Sequence, residues 1–228
     1  MPGYNQISYL KNHVDYIIEP IAIIGSKEYS FDKYNFINLL NKLGLKDITG
    51  IDIQEGDGVD KVLDICNTSD NYFKLKSKYF NTIICMQTLY SVNNPFKAAK
   101  NIYQLMNENA VLLFSDVFTH RIHRIPNDNW RFTYDAHKIL FDKLEFDDSK
   151  VKIGITRGET LINYKYPFPE LLKYKKQKSE SILGYISRKI NRKLFLSGLL
   201  NLPILLPELS IFSFAKNTLE KKLNEKQK

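Results

Sequence analysis

Short apolar runs alternate along the chain with stretches in which apolar residues recur at helical spacing. The apolar runs predict strands at residues 21–24, 48–53, 61–65, 81–86, 110–116, 151–156 and 209–215. The helical spacing predicts helices at residues 33–43, 71–78, 95–106 and 134–143. Strands that alternate with helices build a parallel sheet covered by helices. We therefore predict an α/β fold with a doubly wound, mostly parallel, seven-stranded sheet.

The pattern changes after about residue 160. Residues 165–193 contain seven Lys and two Arg against two Glu, and residues 164–207 contain four of the eight prolines. The stretch 179–201 is amphipathic. The sequence therefore predicts a core (1–160), a basic, partly amphipathic helical insertion (161–207), a strand that closes the core sheet (208–216) and a charged tail (217–228).

The chain of 228 residues has a formal charge of +8, which bears on the partners that the protein could bind. A basic surface contacts nucleic acid, anionic lipid or a phosphorylated acceptor, or it is only a solvated face. We expect no specific binding of nucleic acid. The apolar run 194–206 is shorter than the roughly 20 residues of a membrane-spanning helix. We expect residues 179–207 to pack on the core, to contact a second copy or to lie on the inner face of a membrane.

Cys66 and Cys85 lie in or beside apolar runs. The sequence has no CxxC and no Cys/His spacing of a zinc site, so we expect no metal ion and no disulfide framework. The first 16 residues lack the apolar segment of a secretory signal. These features predict a cytoplasmic protein.

Two residues at predicted strand ends are candidates for ligand binding. Ligands of a doubly wound sheet bind at the carboxyl ends of its strands. Gly25 ends the first strand and allows a close approach of backbone to ligand. Asp52 ends the second strand, where a carboxylate can accept both hydroxyls of a ribose. The GxGxxG pattern of a dinucleotide site is absent.

Three blocks carry a resemblance to a known family. They are ITGIDIQEGDGVDKVLDI (48–65), NTIICMQTLYSVNNPFKAAKNIYQLM (81–106) and HRIPNDNWRFT (123–133). In this order they resemble the motifs of class I S-adenosylmethionine-dependent methyltransferases, of the type 11-like kind found in glycan and natural-product gene clusters. The resemblance implies a Rossmann-like methyltransferase fold, S-adenosylmethionine as cofactor, and methyl transfer by in-line displacement.

The resemblance also implies a set of cofactor contacts. Gly25 and Ser26 would lie at the methionine part of the cofactor. Asp52 would hold the ribose and Ile53 would contact the adenine. The remaining implied contacts are Asp64 and Ile65 beside the adenine, and Met86 and Gln87 at the sulfonium end.

Polar residues after the fifth predicted strand are candidates for catalysis. His120, His123 and Asp128 are candidates for acid–base chemistry, because a hydroxyl acceptor needs a general base. Arg131 would pair with Asp128 or bind an anionic acceptor, and Trp130 would contact the acceptor. Alternatively, this block forms a rigid lid in which these side chains are only structural.

Two other histidines are interpreted as structural or surface residues. They are His13 and His137. The helix predicted at 134–143 would place Ala136, Ile139 and Leu140 on its apolar face.

Three departures from the family pattern leave an alternative function open. Ile23 stands where the family carries an acidic residue, and only Gly25 remains of its glycine-rich loop. Tyr90 and Ser91 replace a Glu-His pair, which we expect to remove polar groups near the acceptor. The favoured function is O-methylation of a sugar, a glycan precursor or another small hydroxyl acceptor, as in polysaccharide biosynthesis. The alternative is a catalytically degenerate methyltransferase-like binding or partner subunit.

Overall fold

A computed structural model describes residues 3–30, 32–67, 69–120, 122, 126–155, 160–164, 181–183, 185–187, 190 and 209–218 of the chain. Within these residues one sheet contains nine strands. The strands are β1 (Ile21–Ile24), β2 (Ile48–Asp52), β3 (Lys61–Val62), β4 (Phe80–Met86), β5 (Met106–Thr119), β6 (Glu145–Phe146), β7 (Lys152–Ile155), β8 (Thr160–Asn163) and β9 (Leu209–Lys216). The α-helices are α1 (Tyr4–Lys11), α2 (Phe36–Lys42), α3 (Asn71–Leu75), α4 (Pro95–Leu105) and α5 (Tyr134–Leu140).

The order of the strands reverses at β1. Strands β1, β2 and β3 extend the sheet in one direction, and the chain then returns so that β4 pairs with the other edge of β1. Strand β5 follows beyond β4, and these five strands are all parallel. This reversal is the topological switch point at which doubly wound sheets bind their ligands. The predicted α/β, doubly wound fold class is confirmed.

Beyond β5 the sheet becomes antiparallel. Strand β9 lies between β5 and β7, strand β8 pairs with β7, and β6 pairs with β9. The described part of the chain thus has nine strands, whereas the sequence predicted seven. The two additional strands, β6 and β8, have two and four residues. They contain no apolar run long enough to indicate a strand on its own.

The central strands are buried on both faces, which explains their continuous apolar sequences. Ala22 and Ile24 of β1 belong to the hydrophobic cluster on one face of the sheet. Ile21 and Ile23 belong to the cluster on the other face. Burial of one such isoleucine side chain contributes roughly 1.5–3 kcal/mol. A shift of β1 by one residue would exchange these side chains between the two faces of the sheet. The two cores therefore fix the register of β1 against β2 and β4.

Helix α4 covers one face of this parallel region. It begins where the Asn94 side chain accepts a hydrogen bond from the backbone N–H of Lys97, and Pro95 occupies its first turn. Both features favour helix initiation. Its buried face packs into the same cluster as Ala22 and Ile24. This face consists of Pro95, Ala98, Ala99, Asn101, Ile102 and Leu105.

Helix α5 presents a different face to the core from the one that the sequence predicts. Its buried residues are Tyr134, His137 and Leu140, whereas Ile139 is 64% exposed. The expectation that Ile139 lies on the buried face is wrong. The aromatic ring of His137 packs instead against Phe114 of β5, with 4.6 Å between the ring centroids.

The described residues of the insertion are few. Residues 182–183, 185–187 and 190 are helical. Within 165–208 only these residues and Ser181 are described, and residues 219–228 also lie outside the described residues. The division into core, insertion, closing strand and tail stays a prediction. No helix in the described ranges combines the length and apolar character needed to cross a membrane.

Candidate functional site

An open cavity lies at the carboxyl ends of the parallel strands, at the switch point. It contains about 1020 Å³ of empty space when its open mouth is included. The lining residues that come from the ends of β1, β2 and β3 are Ile24, Gly25, Lys27, Tyr29, Ile51, Asp52, Ile53, Gln54, Leu63, Asp64 and Ile65. Those that follow β4 and β5 are Gln87, Thr88, Tyr90, Ser91, Val92, Asn93, Pro126 and Asn127.

Gly25 forms a narrow part of the cavity wall. Its φ angle of +76° lies in the left-handed region that favours glycine. A Cβ atom at this position would lie 2.2 Å from the Thr88 hydroxyl oxygen. That hydroxyl donates a 3.0 Å hydrogen bond to the carbonyl of Ile24, so the two loops are fixed against each other. Only glycine fits between them, although the surrounding glycine-rich pattern is missing.

Asp52 stands at the end of β2, where the sequence predicts it. Its Oδ2 accepts a 3.1 Å hydrogen bond from the backbone N–H of Lys27, and its Oδ1 accepts a 2.9 Å bond from that of Gln54. Each carboxylate oxygen can accept a second hydrogen bond. The carboxylate is therefore held in place by the backbone and keeps acceptor capacity at the cavity wall.

Asp64 brings a second carboxylate to the same cavity from the end of β3. Its Oδ1 accepts a 2.8 Å hydrogen bond from the backbone N–H of Cys66. Leu63 and Ile65 line the cavity on either side of it, and Ile53 adds another apolar side chain from the end of β2. This end of the cavity combines carboxylates with apolar surface.

The segment after β4 supplies the neutral polar part of the wall. Gln87 has a φ angle of +53°, which is unusual for a residue other than glycine, and its N–H donates a 2.8 Å hydrogen bond to the Ser115 carbonyl. Residues Leu89–Ser91 then form a 3₁₀ turn. Burial, and next the charge of Asp116, raise the pKa of Tyr90 to about 12, so its phenol stays protonated at neutral pH.

Sequence reasoning missed several of these lining residues. Tyr90 and Ser91 were expected to reduce the polar character of the site, yet both line the cavity. Thr88, Lys27 and Tyr29 line it as well. Their positions just after predicted strand ends were the only signal in the sequence that could have indicated them.

Ser26 and Met86 do not line this cavity. They line a smaller neighbouring cavity together with Glu28, and Gly25 lies between the two. The Ser26 side chain is buried and its hydroxyl has no hydrogen-bond partner among the described residues. Met86 is 4% exposed and packs into the core. Their cofactor contacts stay predictions.

The block after β5 folds into a strap, which we define as residues 126–132. Asp128 and Arg131 form an ion pair within it, with 3.0 Å between Arg131 Nη2 and Asp128 Oδ2. The indole N–H of Trp130 donates a 2.8 Å hydrogen bond to the Val92 carbonyl. Asp128, Trp130 and Arg131 thus support the wall, whereas Pro126 and Asn127 of the strap line the cavity itself.

The predicted histidines are placed only in part. His120 directly follows β5, and its carbonyl accepts a 3.4 Å hydrogen bond from Arg131. His120 does not line the cavity among the described residues, and His123 lies outside them. The acid–base roles of His120, His123 and Asp128 and the acceptor contacts of Trp130 and Arg131 stay predictions. The described residues contain no group of three or more His, Cys, Asp or Glu that could hold a metal ion.

The cavity and the sheet define a class of protein, namely an α/β enzyme of the Rossmann-like methyltransferase type. Residues 30–147, just over half of the chain, match the methyltransferase domain family. The chain belongs to this family. The predicted methyltransferase activity and S-adenosylmethionine cofactor are thereby confirmed.

Solved structures share the fold. A SAM-dependent methyltransferase from Archaeoglobus fulgidus is 18% identical with a TM-score of 0.54, and the similarity covers 92% of each chain. Phosphoethanolamine N-methyltransferase 2 from Haemonchus contortus, solved with S-adenosyl-L-methionine, is 12% identical with a TM-score of 0.51. That similarity covers 93% of this chain and 52% of the Haemonchus chain. No curated protein matches the chain.

Proposed function

We propose that the protein transfers the methyl group of S-adenosylmethionine to a hydroxyl of a small acceptor, such as a sugar or a glycan precursor. One observation carries this proposal. A single cavity at the switch point combines the carboxylates at the ends of β2 and β3 with neutral polar groups from the segment after β4.

The residues at the β2 and β3 end suit the nucleoside part of the cofactor. Asp52 would accept the ribose hydroxyls, and Asp64 would accept from the adenine amine. Ile53 and Ile65 would contact the adenine faces. Gly25 would lie beneath the methionine part, which needs the close backbone approach that its missing side chain allows.

The residues after β4 suit an uncharged acceptor. Gln87, Tyr90, Ser91 and Asn127 all line this part of the cavity and are neutral at pH 7. They offer hydrogen bonds to hydroxyl groups without the charge that would select a carboxylate or an ammonium ion. A hydroxyl must lose its proton as the new O–C bond forms, so the reaction needs a general base.

The candidates for that base follow β5 in the sequence. We propose His123, with His120 as second candidate, because a neutral imidazole can accept the proton that the hydroxyl loses. Asp128 is a weaker candidate because Arg131 already binds its carboxylate.

The acceptor can be tested by transfer of labelled methyl from S-adenosylmethionine with the full chain. Matched pairs such as glucose and glucosamine, free and as sugar nucleotides, separate hydroxyl from amine acceptors. We expect label on neutral sugars. Label found only on the nitrogen of amino sugars would contradict O-methylation. Cofactor binding without transfer to any compound would favour the binding-subunit alternative.

The location of the protein is a separate proposal. Ile182, Leu183, Ile186 and Ile190 are 65%, 80%, 45% and 53% exposed, and basic residues follow within 188–193. A helix with an apolar stripe beside basic residues binds anionic membrane interfaces. We propose that this protein is cytoplasmic and associates peripherally with the inner membrane face.

Co-sedimentation with phosphatidylserine-containing vesicles tests this association. We expect binding that falls severalfold in the Ile182→Ser/Ile186→Ser variant. The Ile139→Ser variant is the matched control, since Ile139 is an equally exposed isoleucine on α5. If both variants bind like the wild type, the segment is not a membrane contact.

A further inference from the structure

A fully buried acidic side chain lies next to the cavity and is not used in the proposed reaction. Asp116 is on β5 with 0% exposure. Its Oδ2 accepts a 2.9 Å hydrogen bond from the backbone N–H of Tyr90, and its Oδ1 accepts a 2.9 Å bond from that of Val117. A buried carboxyl group is costly unless such bonds are made. Two residues of different segments are thus held by one side chain.

The same two residues anchor the strap. The carbonyl of Tyr90 accepts 2.9 Å hydrogen bonds from the N–H groups of both Asn129 and Trp130. The carbonyl of Val117 accepts a 3.0 Å bond from the N–H of Phe132. Each residue that donates to Asp116 therefore accepts from the strap on its other side. The Asp116 carboxyl links the 3₁₀ turn after β4 to the segment after β5.

This link determines part of the cavity wall. Tyr90 lines the cavity from the turn, and Pro126 and Asn127 line it from the strap. A shift of the Tyr90 backbone would move both parts of the wall together, because the strap is bonded to the Tyr90 carbonyl.

We propose that Asp116 is a positioning residue for methyl transfer, which acts through the backbone of Tyr90 and Val117 to hold the 3₁₀ turn and the strap in register around the cavity. The proposal rests on the proposed function in taking this cavity as the cofactor site. In the proposed reaction, Asp116 itself touches neither cofactor nor acceptor.

The link through Asp116 can be measured because it depends on the charge state of the Asp116 carboxyl. Burial raises the pKa of its carboxyl to about 7, against the lowering effect of its backbone hydrogen bonds and of the Arg131 charge. The charged or titratable groups that face it are Cys85 on β4, Tyr90 in the turn and Arg131 in the strap. The pKa of each is raised, so none of the three changes charge near pH 7. Protonation of Asp116 would weaken the backbone hydrogen bond at the oxygen that takes the proton.

The single tryptophan of the chain reports on this contact, because Trp130 belongs to the strap. We would measure acrylamide quenching of its fluorescence at pH 8 in the full chain, with S-adenosylhomocysteine affinity by calorimetry. In Asp116→Asn, the amide N–H₂ group faces a backbone N–H donor and cannot accept its hydrogen bond. We therefore expect quenching of Trp130 to be about two-fold stronger and binding of S-adenosylhomocysteine to be about ten-fold weaker. Ser115→Ala is the matched control, a fully buried neighbour on β5 that makes no side-chain bond to the strap.

A second measurement needs no variant. In the wild type, quenching of Trp130 should increase as the pH falls through about 7, and this transition should be absent in Asp116→Asn. Unchanged quenching in a folded Asp116→Asn protein, or a transition that persists in it, would overturn the proposal. Failure of the wild type to bind S-adenosylhomocysteine would instead refute the proposed function, while the fluorescence result would still decide the role of Asp116.

Discussion

At the scale of single residues, Asp52 and Asp64 show how a strand end prepares a carboxylate for binding. Each accepts backbone N–H bonds from the loop that follows its strand. These bonds fix the side chain before a ligand arrives, which reduces the entropy lost on binding. In the proposed function, these carboxylates would bind the cofactor with little further loss of side-chain entropy.

Asp52→Ala should weaken binding of S-adenosylhomocysteine by roughly 1–3 kcal/mol, since hydrogen bonds to a charged group are lost. Asp47→Ala is the matched control, because Asp47 directly precedes the opposite, amino end of β2 and is exposed. Calorimetric titration of both variants measures the difference. Equal affinity of Asp52→Ala and the wild type would show that the ribose does not bind at this carboxylate.

His137 and Asp116 make opposite contributions to stability as the pH changes. Burial lowers the pKa of His137 to about 3, and one ring nitrogen lacks a partner among the described residues. The unfolded histidine takes up its proton near pH 6.5, so its stabilisation is complete above that pH and is lost as the pH falls toward 3. The pKa of Asp116 is raised to about 7, so its stabilisation is complete below about pH 4 and is lost as the pH rises to 7.

His137→Gln should therefore remove the loss of folding stability that buried His137 causes at acid pH. As the pH falls from 6.5 to 4, its free energy of unfolding should rise relative to that of the wild type by about 1.4 kcal/mol per pH unit. Asp116→Asn should change the slope by a similar amount in the opposite direction over the same range. Urea unfolding at several pH values measures both. Parallel pH profiles for the wild type and both variants would refute the assigned charge states.

At the scale of elements, the sequence predicts the parallel strands better than what surrounds them. Strands β1, β2 and β4 and helix α4 follow the predicted ranges closely, because each is an apolar run or stripe long enough to stand out. Helix α1 was not predicted, since its buried face includes the polar residues Asn5 and Gln6. The face of α5 was assigned incorrectly because His137, a polar residue, replaces Ile139 in the core.

The loop after β1 allows a direct test of steric fit. Gly25 and Gly44 both have positive φ angles, of 76° and 90°. A Cβ atom at Gly25 would clash with Thr88, whereas at Gly44 nothing lies within 4 Å. Gly44→Ala should lose roughly 1–2 kcal/mol from the left-handed backbone alone.

Gly25→Ala should lose more stability than Gly44→Ala and should also lose measurable binding of S-adenosylhomocysteine. Thermal unfolding and calorimetry of the two variants provide the comparison. Equal loss of stability with retained binding in both would mean that the Gly25–Thr88 contact does not shape the cavity.

At the scale of the whole molecule, the candidate site is assembled by topology. Gly25 and Asp52 were predicted from strand ends, and Asp64 and Gln87 were implied by the family resemblance. All four line one cavity because parallel strands end at the same edge of the sheet. The sequence left the role of the strap open between acid–base catalysis and a rigid lid, and it did not indicate what anchors the strap. Its anchors depend on contacts such as that between Trp130 and Tyr90, which are 40 positions apart in the chain and follow no periodic pattern.

We propose that the cavity at the switch point binds S-adenosylmethionine although the loop after β1 has a single glycine. Calorimetric titration of the full wild-type chain with S-adenosylmethionine and S-adenosylhomocysteine tests it most directly. We predict micromolar binding of both ligands at one site per chain. Absence of binding heat for both ligands, at two or more temperatures so that an accidental zero enthalpy is excluded, would show that the cavity does not bind this cofactor.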